Sequence, residues 1–378
     1  MTLHRIRTFS WFAAALVAVF FMPARAGAQT TSGQTGQTGD PKFPSSKISG
    51  LMFGDYYWFA QSHRDELSST DPTPVRELLG LWFRRLYLTY DYNYNERLTT
   101  RFRLEANSNG DFTGGDIVPY VKDAYLKWTY TGKQQLTLGI QPTLTFSWLE
   151  ELWGLRHIEK TPADLYRLDS SRDFGFTFSG PLGIEGTTYG AQLGNESGSG
   201  SETREGKIIR LASRYERNPG IALEGFYSFS TRSEGEHRHT AQGIVGFRNA
   251  VARIGGQYLW QVRKPGPDDP NQQISVWSGF AVWERPNRAD LFFRVDGVTG
   301  DLGGVETGLP GAEEIDYWLL SSQSPFTMWI GGGEWFLHPS VRLSPNLEFV
   351  RYSKDPDPVN FAGRRQDAIL RLTFFWTF

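Results

Sequence analysis

The last nine residues, Leu370-Arg371-Leu372-Thr373-Phe374-Phe375-Trp376-Thr377-Phe378, alternate between two kinds of side chain. Leu370, Leu372, Phe374, Trp376 and Phe378 share one face. Arg371, Thr373 and Thr377 share the other, with Phe375 as the exception. A period of two belongs to a β-strand with unlike environments on its two sides. A soluble sandwich satisfies that pattern as well as a membrane barrel does, so the rest of the chain must decide.

The longest apolar run, Trp11 to Phe21, is well short of the ~20 residues a spanning helix needs. It follows Arg5 and Arg7 and precedes Ala24-Arg25-Ala26 and Ala26-Gly27-Ala28, both small-residue cleavage patterns. Residues 1–28 are therefore expected to be a signal peptide cut after Ala28. Residues 29–47, rich in Gln, Thr, Gly and Ser, are expected to be a flexible tail, and 48–378 one domain. Mean hydropathy is negative, yet 15% of residues are aromatic and thirteen are Trp. A transmembrane β-barrel reconciles the two, because only every second residue meets lipid and aromatic girdles sit at both interfaces. Cysteine is absent; a closed barrel, with every strand paired, needs no disulfide. Removing Arg5, Arg7 and Arg25 takes 39 basic residues to 36 against 41 acidic, a balance of −5 that argues against a nucleic-acid partner.

Sixteen strands are predicted: Ile48–Gln61, Gly80–Tyr90, Leu98–Ala106, Val118–Trp128, Gln135–Gln141, Phe174–Ser179, Thr187–Leu193, Lys207–Tyr215, Ile221–Ser230, Thr240–Arg248, Val251–Gln261, Ile274–Trp283, Ala289–Asp296, Phe326–Leu337, Val341–Tyr352 and Asp367–Phe378. Short turns such as Asp91–Asn95 and Asn249-Ala250 tend to alternate with longer polar loops such as Asn195–Gly206 and Val298–Gln323. Short periplasmic turns and long external loops are the asymmetry of outer-membrane barrels. The expected fold is an all-β, antiparallel up-and-down barrel of about 16 strands. In most strands charge falls on one face and bulky apolar groups on the other: Phe174, Phe176 and Phe178 oppose Gly175, Thr177 and Ser179. Two strands resist. Ile48–Gln61 carries aromatics on both faces, and the adjacent Arg84 and Arg85 place one arginine toward lipid or near a rim.

Pro142 to Arg172 breaks the rhythm. A structureless insert of this length is uncommon unless functional, and Ser147–Trp153 within it reads as a short helix. The insert is expected to fold inward as a constriction carrying Glu150, Glu151, Arg156, Glu159, Lys160, Arg167 and Arg172, with Asp164, Asp169 and His157. Facing charges there would filter solutes by size and charge. The alternative is an external loop folded over the rim.

Asp123-Ala124-Tyr125-Leu126, then Leu136–Gly139 and Gln141-Pro142, then the insert, then Arg172-Asp173-Phe174-Gly175 and Ser179-Gly180, form an ordered series. The series resembles Gram-negative porins of the phosphate-selective O and P type. The terminal Phe378 resembles the assembly signal of bacterial outer-membrane barrels. The porin resemblance implies a homotrimeric diffusion channel in outer-membrane lipid, passing small hydrophilic solutes and ions. Anion-selective members line the pore with basic residues; here Arg101, Arg103, Arg210, Arg214, Arg253, Arg294 and Arg371 have lumen parity, together with Glu105, Asp123 and Asp296. Each lumen arginine has a second reading as one half of a wall salt bridge. A structural or ligand-binding barrel with an occluded pore is the remaining alternative.

No enzymatic motif emerges. Gly198-Ser199-Gly200 lies in a polar loop and lacks a nucleophile elbow. His237-Arg238-His239 is expected to be solvated at a loop end, and no strand is expected to place a histidine on the lipid face. No catalytic residue, metal site or cofactor is predicted.

Overall fold

The computed structural model describes residues 42–66, 74–76, 78–106, 117–196, 206–217, 220–231, 235–266, 269–285, 289–300, 320–321, 324–356 and 363–378. The predicted signal peptide, most of the predicted tail and most of the Val298–Gln323 loop lie outside the described residues.

The strands are β1 (Ser45–Gln61), β2 (Leu79–Asn93), β3 (Leu98–Ala106), β4 (Tyr120–Thr131), β5 (Gln134–Pro142), β6 (Arg172–Pro181), β7 (Thr187–Gly194), β8 (Lys207–Glu216), β9 (Gly220–Thr231), β10 (His237–Arg248), β11 (Ala252–Lys264), β12 (Gln272–Trp283), β13 (Asp290–Gly300), β14 (Phe326–His338), β15 (Val341–Tyr352) and β16 (Gln366–Thr377). Two short helices, α1 (Ser147–Trp153) and α2 (Pro162–Leu165), lie between β5 and β6. Each strand pairs antiparallel with its neighbours in sequence, and β1 also pairs with β16. The sheet is thus a closed sixteen-strand barrel. Closure leaves no strand edge open, which in lipid would expose unpaired backbone groups. β1 begins inside the predicted tail, and β13 runs into the predicted loop as far as Gly300.

The period-2 pattern sorts the walls. Leu138, Phe174, Phe176, Phe178, Ile209 and Phe293 stand exposed on the outside, while their neighbours Thr137, Thr177, Arg210 and Arg294 are buried inside. A surface this apolar is stable only against lipid.

Where the pattern appeared to fail, a β-bulge repairs it. Phe53 pairs with Arg85 but Gly54 pairs with Phe83, so Arg84 is the extra residue. A bulge cancels the alternation for one step. Both arginines therefore point inward: Arg84 Nε lies 2.6 Å from Asp55 Oδ2, and Arg85 pairs with Glu105. Neither meets lipid, which corrects the expectation from sequence. A second slip, between Arg103 and Leu104, brings Lys122 and Asp123 inside together.

Two further expectations change. The inner face is polar only in part: Leu259, Ile274, Val276, Val282, Ile330, Val350 and Ile369 are buried there in one apolar cluster with the insert. And the His237-Arg238-His239 stretch belongs to β10 rather than to a loop end. His239 stands exposed on the outer face, with Nδ1 2.9 Å from Tyr227 Oη and its ring 4.8 Å from that of Phe229.

Phe176 lies near the middle of β6 on the lipid side. Phe176→Arg should destabilise the barrel by about 2–4 kcal/mol, read as a lower urea midpoint for unfolding from lipid vesicles. Thr177→Val, on the inner side of the same strand, should shift the midpoint far less.

Candidate functional site

The insert lies inside the barrel, held on both flanks. In α1 the apolar residues Trp148, Leu149, Leu152 and Trp153 form one buried stripe, leaving Glu150 and Glu151 on the other side. Leu152 drops into a notch between Gly246 and Gly255, which face each other across β10 and β11. A Cβ on Gly246 would sit 2.3 Å from Leu152 Cδ2. Trp153 meets Phe280 edge-on at 5.1 Å, and the Arg294 guanidinium lies 5.5 Å from its ring centre. Gly154 ends the helix at φ 67°, a left-handed conformation that favours glycine. Helix α1 therefore rests on the β10–β13 wall.

The following coil crosses to the opposite seam and is caught by guanidinium groups. Arg84 donates to the carbonyls of His157 and Ile158, the latter at 2.9 Å. Arg371 donates to Ile158 O at 3.3 Å and Glu159 Oε2 at 3.2 Å. Arg294 donates to Lys160 O at 2.6 Å. His157 pairs with Glu334 of β14 and lies over Phe375, ring centres 4.7 Å apart. That contact explains the one aromatic in the terminal strand that breaks its alternation: Phe375 is the platform for the insert, and Arg342 sits 5.0 Å from its ring centre. Farther on, Tyr166 donates to Asp296 at 2.9 Å, and Asp169 accepts from Arg210 at 2.7 Å.

The predicted pore arginines separate into two groups. Arg210, Arg294 and Arg371 are almost fully buried and neutralised: Arg210 by Asp169 and Asp173, Arg294 by Asp296, Arg371 by Glu159 and Glu348. Arg101, Arg103, Arg214 and Arg253 remain partly exposed, beside Asp91, Asp123, Glu151 with Glu216, and Glu284 respectively. On the insert, Arg156 bridges Glu150 at 2.8 Å and Asp164 at 2.7 Å, while Glu151 projects into solvent. Arg167 holds a left-handed turn at φ 51°. Arg172 opens β6 rather than closing the loop and pairs with Asp123.

The β2–β4 wall is not covered by α1, and its ion pairs are layered. The carboxylates of Glu105 and Asp123 are 1% and 0% exposed, whereas their partners Arg85, Lys122, Arg103 and Arg172 keep 10%, 10%, 21% and 15%. The acids stand behind the bases, so the charge offered to water is positive. Arg103 lies 5.2 Å from the Tyr87 ring centre and Lys127 6.0 Å from that of Tyr125, which hold the basic heads against the wall. Opposite them, the insert presents Glu150, Arg156 and Asp164. Burial pushes the Lys160 ammonium down to about 7, with Asp164 opposing the shift. Burial alone would raise the Asp164 carboxyl, but Arg156 and Lys160 together hold it well below the usual carboxylate range.

Sequence reasoning missed Asp55, Asp173 and Glu334 as members of the site. Asp55 joins Arg84, Trp82 and Thr373; Glu334 joins His157, Arg342 and Ser344. The available signal was a lone carboxylate within an aromatic or glycine-rich strand, Gly54-Asp55-Tyr56 and Gly333-Glu334-Trp335. Among the described residues, no group of three or more His, Cys, Asp or Glu is placed to hold a metal.

Arg371→Ala leaves Glu159 and Glu348 buried without their cation. It should cost about 3–5 kcal/mol, seen as a lower urea midpoint, and should make 155–161 cleavable by protease in the folded barrel. An unchanged midpoint and an uncut insert would show that the ion pairs do not hold it.

No family model and no curated protein sequence matches the chain. Solved structures do match in shape. The anion-selective porin from Comamonas acidovorans aligns with a TM-score of 0.65 at 13% identity, over 89% of this chain and 100% of that one. OmpF of Salmonella typhi, solved with daunomycin, aligns at 0.61 with 10% identity over 88% and 97%. The trimer form of the outer-membrane protein OmpT of Vibrio cholerae aligns at 0.57 with 9% identity over 89% and 99%. The likeness is one of fold, and by fold this chain is an outer-membrane β-barrel.

Proposed function

We propose that the chain forms a passive, water-filled channel across the outer membrane for small hydrophilic solutes and ions, with a weak preference for anions. The observation that carries this reading is the layering of the β2–β4 wall, where buried acids leave basic groups facing the lumen opposite the insert. A low-dielectric wall lined by one sign of charge raises the local concentration of the other. The preference is weak, because Asp91, Glu150 and Asp164 neutralise part of it and because Arg210, Arg294 and Arg371 are occupied by protein carboxylates. A dedicated phosphate site would need such arginines free. The similarity to an anion-selective porin supports the same reading. Export directed by residues 1–28 with cleavage after Ala28, and assembly as a homotrimer, belong to it. The apolar packing of α1 on the β10–β13 wall favours a second reading, a structural barrel with an occluded pore.

Planar-bilayer recording of the purified protein separates the two. Stepwise ohmic conductance, with a reversal potential displaced toward that of the anion in a salt gradient, is expected. Arg103→Glu should move the reversal potential toward the cation's; absence of conductance steps would leave the occluded barrel.

The pH dependence follows from Lys160. Its ammonium is neutral above about 7 and charged below, so lowering the pH through that range adds positive charge to the constriction. Anion preference should rise on acidification, and Lys160→Met should reduce the rise.

A further inference from the structure

Lys127 stands apart from the other cations of the β2–β4 wall. Arg85 and Lys122 share Glu105, Arg103 and Arg172 share Asp123, and Arg101 holds Asp91 through two hydrogen bonds of 2.7 and 3.0 Å. Among the described residues, no carboxylate lies within ion-pair distance of the Lys127 ammonium and no hydrogen bond occupies it; it rests against the Tyr125 ring, 6.0 Å from the ring centre. Leu126 and Trp128 stand exposed on the lipid side, so Tyr125, Lys127 and Thr129 point into the lumen. Lys127 is half-buried. It lies four residues from Asp123, about 13 Å along the strand, toward the short turn that joins β4 to β5.

The register surrounds this ammonium with hydroxyls. Thr99 of β3 and Thr137 of β5 are the residues paired with Lys127 on either side, and Thr129 follows two positions along β4. Side chains paired in this way start about 5 Å apart on one face. Among the described residues, none of the three hydroxyls has a hydrogen-bond partner. The residue paired with Tyr125 on β5 is Gly139, at φ 123°, and Gly139 pairs in turn with Gly175 of β6. No side chain therefore stands beside the Tyr125 ring on that flank. An uncompensated single charge, three hydroxyls and an aromatic ring with an open side ask three things of a ligand: one carboxylate, several hydroxyls and a flat apolar side. Phosphate meets the first alone, and its oxygens are better matched by a guanidinium fork than by an ammonium. A carboxylated sugar meets all three. We propose that this stretch of the lumen is a subsite for uronic acids, a reading that rests on the lumen being open to solutes. The carboxylate takes the Lys127 ammonium in a charge-assisted hydrogen bond, the sugar hydroxyls bond to Thr99, Thr129 and Thr137, and the C–H side of the ring lies against Tyr125.

The test is saturation-transfer NMR of the full folded protein in detergent, with glucuronate as probe and glucose and acetate as comparators. Glucose lacks the carboxylate and acetate lacks the ring and its hydroxyls, so glucuronate should bind more tightly than either. Lys127→Met should weaken glucuronate binding about tenfold and bring it to the level of glucose. Thr99→Val with Thr137→Val should weaken glucuronate about fivefold and leave acetate where it was. Should a variant fail to fold, the unsubstituted protein still decides: glucuronate binding no tighter than acetate would overturn the proposal, as would equal binding of glucuronate and glucose. Unchanged glucuronate binding in both folded variants would overturn it too. Planar-bilayer recording keeps this result apart from the channel reading. Conductance steps without glucuronate binding sink the subsite and leave the channel, whereas glucuronate binding that responds to both variants without conductance steps sinks the channel and leaves the site.

Discussion

Arg371 is where the barrel closes and where its contents are fastened. It sits on the last strand, fully buried, and reaches Glu348 on β15 and Glu159 on the insert, with Asp55 of β1 4.0 Å away. A guanidinium suits this position because its planar fork can serve several acceptors at fixed angles, which an ammonium cannot. The same fork, with that of Arg84, satisfies carbonyls of an irregular segment that runs through the barrel without a regular hydrogen-bonded partner. Buried ion pairs of this kind contribute little net stability, since desolvation offsets most of the attraction. Their consequence is positional: the insert has one seat.

That seat divides the lumen into unlike halves. On the β10–β16 side, Trp148, Leu152, Trp153 and Ile158 complete an apolar core with inward Leu259, Val276, Ile330 and Ile369, as a helix packs on a sheet in a soluble domain. On the β2–β4 side the charges remain partly wet. The insert is therefore a wall with a core behind it, and its rigidity comes from packing rather than from the loop's own length. Asymmetric charge then needs no excess of basic residues. It needs only that Glu105 and Asp123 be deeper than the cations they bind.

Much of this was legible in the residues. Alternation along strands such as Phe174-Gly175-Phe176-Thr177-Phe178 identified the lipid face, because a charge misplaced there is costly and so the pattern is kept. The insert stood out by its length and its interruption of the strand rhythm. The misreadings share one cause, which is that a period of two assumes an unbroken ladder. At Arg84 and Lys122 a bulge admits an extra residue, and two adjacent charges turn to the same side. Phe375 looked like an error in the pattern because its partner, His157, is 218 positions away in the chain. His239 looked solvated because the end of a strand cannot be told from the start of a loop without the register of its neighbours.

The sequence by itself determined the class of fold. Hydrophobic periodicity is local, and lipid on one side with water or protein on the other leaves a closed barrel as the solution for strands of this kind. It also supplied the charges of the lumen. Only the tertiary structure decided which of those charges neutralise one another, which stay accessible, and that half of the interior is apolar. Those outcomes depend on the relative depth of side chains from β2, β4, β13, β16 and the insert, and depth is fixed by register, bulges and packing across the barrel, none of which has a local signature. The closing strand shows both: its alternation was plain from the residues, while the roles of Arg371 and Phe375 in seating the insert appear only once the barrel is closed around it.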